Sequence, residues 1–378
     1  MPWNASSPVS VRHEFLMLAI QEGVNFRGLC QGFGISRKTG YKWLRRFRAE
    51  GATGLWDHSR RPQHTPGRTS VALEAAVVAL RQAHPAWGGR KLHRRLQDQG
   101  VRAVPAPSTI TGILQRQGLI PAAEARKHHA WQRFEQEAPN RLWQMDFKGW
   151  FALDQGRCYP LTVLDDHSRF NLVLHACPDE QGQTVQHALT AAFRRYGLPE
   201  RMTMDNGAPW GSRATPPLTT LTVWLLRVGV AVSHSRPAHP QTQGKDERFH
   251  RTLAAEVLRG QHFRDLAHCQ AQFDRWRACY NLERPHDALA LAVPASRYHP
   301  SPRLFPEPLP PIEYAPGDIV RRVQSKGELH YHGQVFRVSQ ALRGYPVALR
   351  PTTTDGRLTV YFCHHPVGEI DLRVPSEH

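Results

Sequence analysis

The sequence predicts a multidomain chain with an all-α N-terminal region of two similar units, a central α/β domain and a small C-terminal β-barrel. Three observations lead to this prediction. Apolar residues recur at helical spacing up to residue 118, strand-like and helical runs alternate over residues 141–298, and short β-rich runs between turn signals fill residues 317–374. A length of 378 residues is enough for two or three domains with buried cores.

The charge of the chain indicates its partner. Lys and Arg number 49 and Asp and Glu 32, which gives a net charge of +17, and residues 1–135 contain 21 basic and 8 acidic residues. A basic region ahead of an acidic site is typical of a protein that holds nucleic-acid phosphates with one part and cuts them with another. The expected partner is therefore double-stranded DNA.

Cysteine spacing and hydropathy exclude several classes of protein. The six cysteines include no C-x-x-C pair, which argues against a zinc ribbon and against a secreted disulfide framework. No window approaches 18 consecutive apolar residues, so no membrane partner is expected. We expect a cytoplasmic chain that associates with the nucleoid.

Residues 1–50 are predicted to form a helix-turn-helix DNA-binding unit. Ser36 follows a Gly-containing turn and is placed to cap a basic helix, in which Tyr41, Leu44 and Phe47 recur every three residues and are predicted to face the core. A basic helix after such a turn suits the major groove of DNA. The predicted DNA contacts on this helix are Arg37, Lys38, Lys42, Arg45 and Arg46.

Residues 70–118 are predicted to form a second helix-turn-helix-like unit, with Ser108 capping its last helix. Linkers over residues 51–69 and 119–140 join it to its neighbours, because these stretches are polar and the first is rich in Gly and Pro. Two units that bind together would read a longer DNA site than either alone. The predicted DNA contacts here are Lys91, Arg94 and Arg95.

Three acidic residues within residues 141–298 lie in settings that suit phosphoryl transfer. Asp146 lies in an apolar, aromatic run predicted to be a buried strand, Asp205 ends a second strand, and Glu247 opens an amphipathic helix. They are about 60 and then about 40 residues apart, so they can meet only after folding. Carboxylates from two strands and a helix can converge on two Mg²⁺ ions, or on Mn²⁺ in their place, which clamp the attacking and leaving oxygens.

The helix that begins near residue 244 leaves one alternative open. Asp246 and Glu247 are neighbours, so their side chains point about 100° apart and only one can face the metals. Periodicity does not decide between them, although the longer side chain of Glu247 favours it by reach. Basic residues around the pair are predicted phosphate contacts: Lys245, Arg248 and Arg251. Asp165 and Asp166 fall at a turn between strands and are expected to be structural.

With these motifs in place, the chain resembles the insertion-sequence transposases whose catalytic core is related to retroviral integrase, of the insertion sequence family 481 type. The resemblance depends on the order and spacing of several motifs. These are Gly54-Leu55 to Arg61-Pro62, Trp143 to Asp146, Leu164 to Arg169, Asp205-Asn206-Gly207, His239 to Lys245, and Glu247 to Leu253. The interval from Asp205 to Glu247 is longer than in the wider group, and extra residues around Trp210–Pro217 would account for the difference.

The resemblance implies an RNase H-like core in which Asp146, Asp205 and Glu247 are the catalytic metal ligands. It implies Mg²⁺-dependent cleavage at the terminal inverted repeats of an element, followed by joining of the freed 3′-OH to target DNA. A homo-oligomer on the DNA is expected. Two other functions stay open from the residues alone: a DNA-binding regulator that has lost its chemistry, and a nuclease that cuts without joining.

Residues 299–316 separate the central domain from the predicted barrel. Seven prolines fall between His299 and Pro316, so this stretch is predicted to be a stiff, extended spacer. The nuclease alternative leaves both the helical units and the C-terminal domain without a role.

Overall fold

The computed structural model describes residues 8–58, 69–120, 135–211, 217–234 and 244–374. Its chain divides into two compact units, Met1–Arg68 and Thr69–His378. The predicted linkers 51–69 and 119–140 lie partly outside the described residues, as does the extra loop expected around Trp210–Pro217.

The first unit is a group of three helices, α1 (Pro8–Ala19), α2 (Phe26–Gly32) and α3 (Arg37–Glu50). Ser36 caps α3 as its position predicts, since its side chain accepts a hydrogen bond from the backbone N–H of Thr39 at 3.2 Å. The cap fixes where α3 begins and therefore which of its side chains are exposed.

Tyr41 does not face the core, so this part of the sequence prediction is wrong. Tyr41 is 55% exposed, whereas Trp43 and Leu44 are buried. The buried face of α3 is set by Gly40, where a Cβ atom would lie 2.8 Å from the Cys30 sulfur. Because α2 and α3 touch there, the residues one turn beyond Gly40 point inward and Tyr41 turns outward.

The second helical group belongs to the larger unit and comprises α4 (Val71–Ala83), α5 (Gly89–Asp98) and α6 (Pro107–Arg116). Its core includes Val77, Trp87, Leu92 and Ile110, and Cys279 from the central domain packs against it. Ser108 is not the cap of α6. Ala106 occupies the N-cap position and Pro107 begins the helix, a position that suits the fixed φ of proline.

The central domain has an RNase H-like sheet. Its strand order is β4-β3-β1-β5-β6, with the short β2 also beside β3. The pairs β1–β3 and β3–β4 are antiparallel, and the pairs β1–β5 and β5–β6 are parallel. The strands are β1 (Leu142–Phe147), β2 (Phe151–Ala152), β3 (Arg157–Asp165), β4 (Asn171–Cys177), β5 (Arg201–Met204) and β6 (Ala231–His234).

Helices cover both faces of this sheet. On one face Trp143 and Met145 pack with residues of α7 (Gly182–Tyr196) and α8 (Thr220–Arg227). On the other face, strand residues pack with α9 (Gly244–Leu253), its π-helical continuation Ala254–Leu258, and α10 (Leu266–Leu282). Because side chains alternate along a strand, Gln144 and Asp146 point towards the face covered by α9.

The C-terminal part is not a closed barrel, so that prediction is wrong. It consists of a four-stranded antiparallel sheet in the order β12-β11-β10-β7 and a separate hairpin of β8 and β9. Val223 and Leu226 of α8 join its apolar core. The sheet thus buries its inner face against a helix and the hairpin without closing on itself. The strands are β7 (Ile319–Arg322), β8 (Glu328–Tyr331), β9 (Gln334–Arg337), β10 (Pro346–Pro351), β11 (Arg357–Phe362) and β12 (His365–Asp371).

The proline-rich stretch 299–316 contains no helix or strand, and its first half is attached to the central domain. The backbone N–H of Ser301 donates to the carbonyl of Tyr196 at 2.8 Å, and the N–H of Leu198 donates to the carbonyl of Arg303 at 2.7 Å. These bonds continue from the end of α7, so this half of the stretch is not a free spacer.

Candidate active site

Asp146 lies near the end of β1 and is held by the neighbouring strand. Thr162 is its partner in the β1–β3 ladder, and the Thr162 hydroxyl donates to the Asp146 carbonyl at 2.9 Å. The same hydroxyl oxygen lies 2.8 Å from Nε2 of His250 on α9. Since the Thr162 proton is already used, Nε2 of His250 is assigned as the donor. His250 Nδ1 then faces the Asp146 carboxylate, with Oδ2 at 3.9 Å.

The electrostatic setting of Asp146 is dominated by burial and by neighbouring carboxylates. Burial, followed by repulsion from the nearby Asp205 carboxylate, raises the pKa of Asp146 to about 7, with smaller contributions from Glu180 and Glu247. Burial lowers the pKa of His250 to about 4, so the imidazole is neutral at pH 7 and places no positive charge beside the Asp146 carboxylate.

Asp205 follows β5 and is fixed by the adjacent strand and turn. Its side chain accepts a hydrogen bond from the Gly207 N–H at 3.1 Å, and its carbonyl accepts one from Nδ1 of His234 at 2.8 Å. A Cβ atom at Gly207 would lie 3.3 Å from the Asp205 carboxylate. Glycine at this position therefore leaves the space beside the carboxylate open.

The two neighbouring acids of α9 lie in opposite environments. Asp246 is 1% exposed and shares the buried face of the helix with Phe249 and Leu253, whereas Glu247 is exposed. Burial, with added repulsion from Asp146 and Asp166, raises the pKa of Asp246 well above its usual range. Burial therefore favours the protonated form of Asp246, and Glu247 is the acid of this pair that keeps access to solvent.

The donor chemistry of the three acids fits Mg²⁺, which prefers carboxylate oxygens. The raised pKa of Asp146 supports the fit, because a cation would relieve the repulsion around this carboxylate. Across residues 8–58, 69–120, 135–211, 217–234 and 244–374, no three His, Cys, Asp or Glu side chains are grouped closely enough to hold a metal. Residues 235–243, which include most of the His239 to Lys245 motif, lie outside the described part of the chain.

Some of the predicted DNA contacts are exposed cations, and others are bonded to groups of the protein itself or partly buried. Those exposed are Arg37, Lys38, Lys42, Arg45, Arg248 and Arg251. Arg46 instead donates to the Trp56 carbonyl at 2.6 Å. On α5, Arg94 pairs with Asp98 at 2.8 Å, Arg95 pairs with Glu283, and Lys91 is half-buried.

Lys245 points into the protein, unlike the arginines that follow it. Its ammonium forms an ion pair with the buried carboxylate of Asp166. Asp166 also accepts from Nε2 of Gln144 at 2.8 Å. Sequence reasoning missed this contact, as it missed those of Thr162 and His234. These residues carry no motif of their own, and only their places in the sheet bring them to the site.

Comparison with known protein families identifies each part of the chain. Residues 136–240 and 228–294 match two models described as an integrase core domain. Residues 12–63 match a helix-turn-helix domain, and residues 39–114 match a homeodomain-like domain. Residues 318–378 match the C-terminal domain of IS481 family transposases.

Two relatives are proteins of bacterial insertion elements. The insertion element IS407 uncharacterized 31.7 kDa protein of Burkholderia multivorans is 28% identical over 288 residues, covering 74% of this chain and 93% of that protein. The insertion element IS476 uncharacterized 39.2 kDa protein of Xanthomonas euvesicatoria is 26% identical over 249 residues, covering 64% of this chain and 69% of that protein.

Solved structures give a weaker match. A chain from the simian T-cell lymphotropic virus intasome in complex with PP2A regulatory subunit B56 gamma is 14% identical, with a TM-score of 0.40 over 79% of this chain and 97% of that chain.

No helix among the described residues is long and apolar enough to cross a membrane. From the family matches and the relatives, the chain belongs to the insertion-sequence transposases that combine helix-turn-helix DNA-binding domains with an integrase core domain and a C-terminal domain of the IS481 family.

Proposed function

We propose that this transposase binds the terminal inverted repeats of its element in the bacterial cytoplasm, cleaves the DNA there and joins the freed 3′-OH to target DNA. The proposed metal ligands are Asp146, Asp205 and Glu247, and the proposed cofactor is a pair of Mg²⁺ ions, for which Mn²⁺ can substitute. The observation that carries the proposal is the placement of Asp146, a half-buried carboxyl near the end of β1 on the sheet face covered by α9, with Asp205 directly after the parallel neighbouring strand β5. The raised pKa of Asp146 supports it.

The residues around these acids have separable tasks. Magnesium, when bound, supplies the positive charge that favours the nucleophilic and leaving oxygens in phosphoryl transfer. The Thr162 hydroxyl holds the backbone carbonyl of Asp146 and is itself held by neutral His250, which does not neutralise the Asp146 carboxylate. Arg248 and Arg251 are exposed on the helix of Glu247 and are proposed to bind DNA phosphates.

DNA delivery to this site is proposed to depend on the helix-turn-helix domains. The exposed cations of α3 are proposed contacts to the element ends, and the chain is proposed to act as a homo-oligomer on nucleoid DNA. Because phosphate contacts release counterions, binding through these residues should weaken steeply as salt is raised.

An oligonucleotide assay with the full-length protein tests the proposal. The substrate is a labelled duplex carrying the inverted repeat that flanks the gene, and a plasmid serves as the target. With Mg²⁺ we expect 3′-end cleavage and joined product, and with EDTA neither. Binding without cleavage would instead support the regulator, and cleavage without joining would support the nuclease.

The matched variant is Asp146→Asn, which keeps the shape of the side chain and removes the charge that would hold Mg²⁺. We expect it to bind the duplex with unchanged affinity and to lose both cleavage and joining. Substantial activity with an unchanged metal requirement would contradict the role proposed for Asp146.

A further inference from the structure

A single buried carboxylate, that of Asp166, links the strand that carries Asp146 to the helix that carries Glu247. Its side chain is fully buried, and one oxygen, Oδ1, accepts from both Gln144 Nε2 at 2.8 Å and the ammonium of Lys245. The other oxygen accepts from the backbone N–H of Gln136 at 2.8 Å.

Each of the two side-chain donors to Asp166 lies two residues from a proposed metal ligand. Gln144 lies two residues before Asp146 on β1, so both side chains point to the same face of the sheet. Lys245 lies two residues before Glu247 in the first turn of α9. A shift of Asp166 would therefore move the start of α9 relative to β1, and with it the distance between the two proposed metal ligands.

Backbone contacts add to the link. The Asp166 N–H donates to the carbonyl of Leu142 at 2.9 Å, which attaches the turn to the beginning of β1. The Asp166 carbonyl in turn accepts from Lys245 Nζ at 3.3 Å. The lysine is thus held by two oxygens of one residue, and little of its side chain, 17%, is exposed.

The neighbouring acid provides an internal control. Asp165 is also buried, but its carboxylate accepts from the N–H and hydroxyl of Ser168, at 2.8 and 2.6 Å, and from the N–H of Asn140 at 2.7 Å. Ser168 belongs to the same turn, and Asn140 lies two residues before the start of β1. These bonds stabilise the turn and the start of the strand, and they do not reach α9.

We propose that Asp166 is a positioning residue, which binds Lys245 and Gln144 and thereby fixes the start of α9, the helix that carries Glu247, against β1, the strand that carries Asp146. The proposal rests on the function proposed above. It assigns Lys245 to the protein side of the site, and not to DNA. Partners that orient metal ligands typically alter metal affinity or activity by about 10- to 100-fold when removed.

The test compares Asp166→Asn with Asp165→Asn in the full-length protein. Three quantities are measured: the Mg²⁺ concentration for half-maximal joining, the affinity for Mn²⁺ by electron paramagnetic resonance, and amide hydrogen exchange in α9. For Asp166→Asn we expect both metal constants to weaken about 10- to 100-fold and α9 to exchange faster. For Asp165→Asn we expect a lower melting temperature, with both metal constants within about twofold of wild type.

Lys245 supplies an independent variant on the other side of the ion pair, and Lys245→Arg serves as its control because it keeps the positive charge beside Asp166. Lys245→Met should weaken the metal constants as Asp166→Asn does, and Lys245→Arg should restore most of the loss. In the double variant Asp166→Asn with Lys245→Met, the metal constants should be no weaker than in the more impaired of the two single variants, because both substitutions remove the same interaction.

The outcomes separate this inference from the proposed function. If wild type neither binds Mn²⁺ nor joins DNA, the proposed function fails. If wild type does both and Asp166→Asn changes only stability, as Asp165→Asn does, the positioning role is overturned. If Lys245→Met weakens DNA affinity and reduces its salt dependence but leaves the metal constants unchanged, Lys245 contacts DNA. This result would also overturn the positioning role.

Discussion

Helices α3 and α5 are both short, basic and predicted to contact DNA, but their cations face different partners. On α3, Arg37, Lys38, Lys42 and Arg45 are exposed. On α5, the cations are drawn to carboxylates: Arg90 pairs with Asp287 at 2.8 Å, Arg94 with Asp98, and Arg95 with Glu283.

The difference shows that the charge of a helix does not by itself identify a DNA-binding surface. Glu283 and Asp287 follow α10 in the central domain, and within the larger unit they form ion pairs with Arg95 and Arg90 of α5. We therefore expect α3 to provide most of the affinity for DNA and α5 mainly to attach the second helical group to the central domain.

The largest expected effect comes from removing charge on α3. The double variant Lys42→Gln with Arg45→Gln should lower affinity for the inverted-repeat duplex about 100-fold and reduce the slope of log K against log salt by about two. Fluorescence anisotropy over a salt series measures both. The matched variant on α5, Arg94→Gln with Arg95→Gln, should change affinity less than about threefold. Equal losses from both helices would break the comparison.

An intermediate effect is expected at Lys91, whose burial on α5 contrasts with the exposure of Lys42. Burial, followed by repulsion from Arg284, lowers the pKa of Lys91 to about 8 from 10.5. Between these two pH values the unfolded chain binds more protons than the folded chain. The buried charge of Lys91 therefore lowers the free energy of unfolding by its full amount below about pH 8, and by less as the pH rises towards 10.5.

Lys91→Met should therefore raise the free energy of unfolding at pH 7, by on the order of 1–3 kcal/mol, and the gain over wild type should shrink by about pH 9.5. Denaturant titration at the two pH values measures it. Lys42→Met should have little effect at either pH. A loss of stability in Lys91→Met at pH 7 would show that this lysine makes a favourable contact.

The smallest effects are expected from the ion pairs of α5 themselves. Arg95→Gln should cost about 1 kcal/mol of unfolding free energy, because its pair with Glu283 joins two parts of the fold and the arginine is only 19% exposed. Arg94→Gln breaks an exposed pair within one helix and should cost about 0.3–0.5 kcal/mol. A larger loss for Arg94 than for Arg95 would contradict the attachment role.

The sequence predicted the elements that carry the site, because each is marked locally. Hydrophobic runs around Asp146 and before Asp205 predicted strands, and the amphipathic pattern after Glu247 predicted a helix. The partners of the basic residues could not be predicted in this way. Lys245 meets Asp166 across 79 positions and Arg95 meets Glu283 across 188, so both contacts depend on tertiary packing.

Two misjudged features of the fold have the same physical origin. The inward face of α3 depends on the approach of Cys30 to Gly40, which a repeat of every third residue does not reveal. The barrel prediction failed because α8 supplies Val223 and Leu226 to the C-terminal core, which removes the need for closure. Local pattern determined the elements, and packing between distant segments determined which faces are buried.

The most direct test of the central claim compares Glu247→Gln with Asp246→Asn in the joining assay. Burial raises the pKa of Asp246 well above the usual range and so favours its neutral form, for which asparagine is a close substitute, whereas Glu247→Gln removes the charge proposed to hold metal. We expect no joined product from Glu247→Gln and activity within about threefold of wild type from Asp246→Asn. An active Glu247→Gln with an inactive Asp246→Asn would contradict the assignment of the third metal ligand.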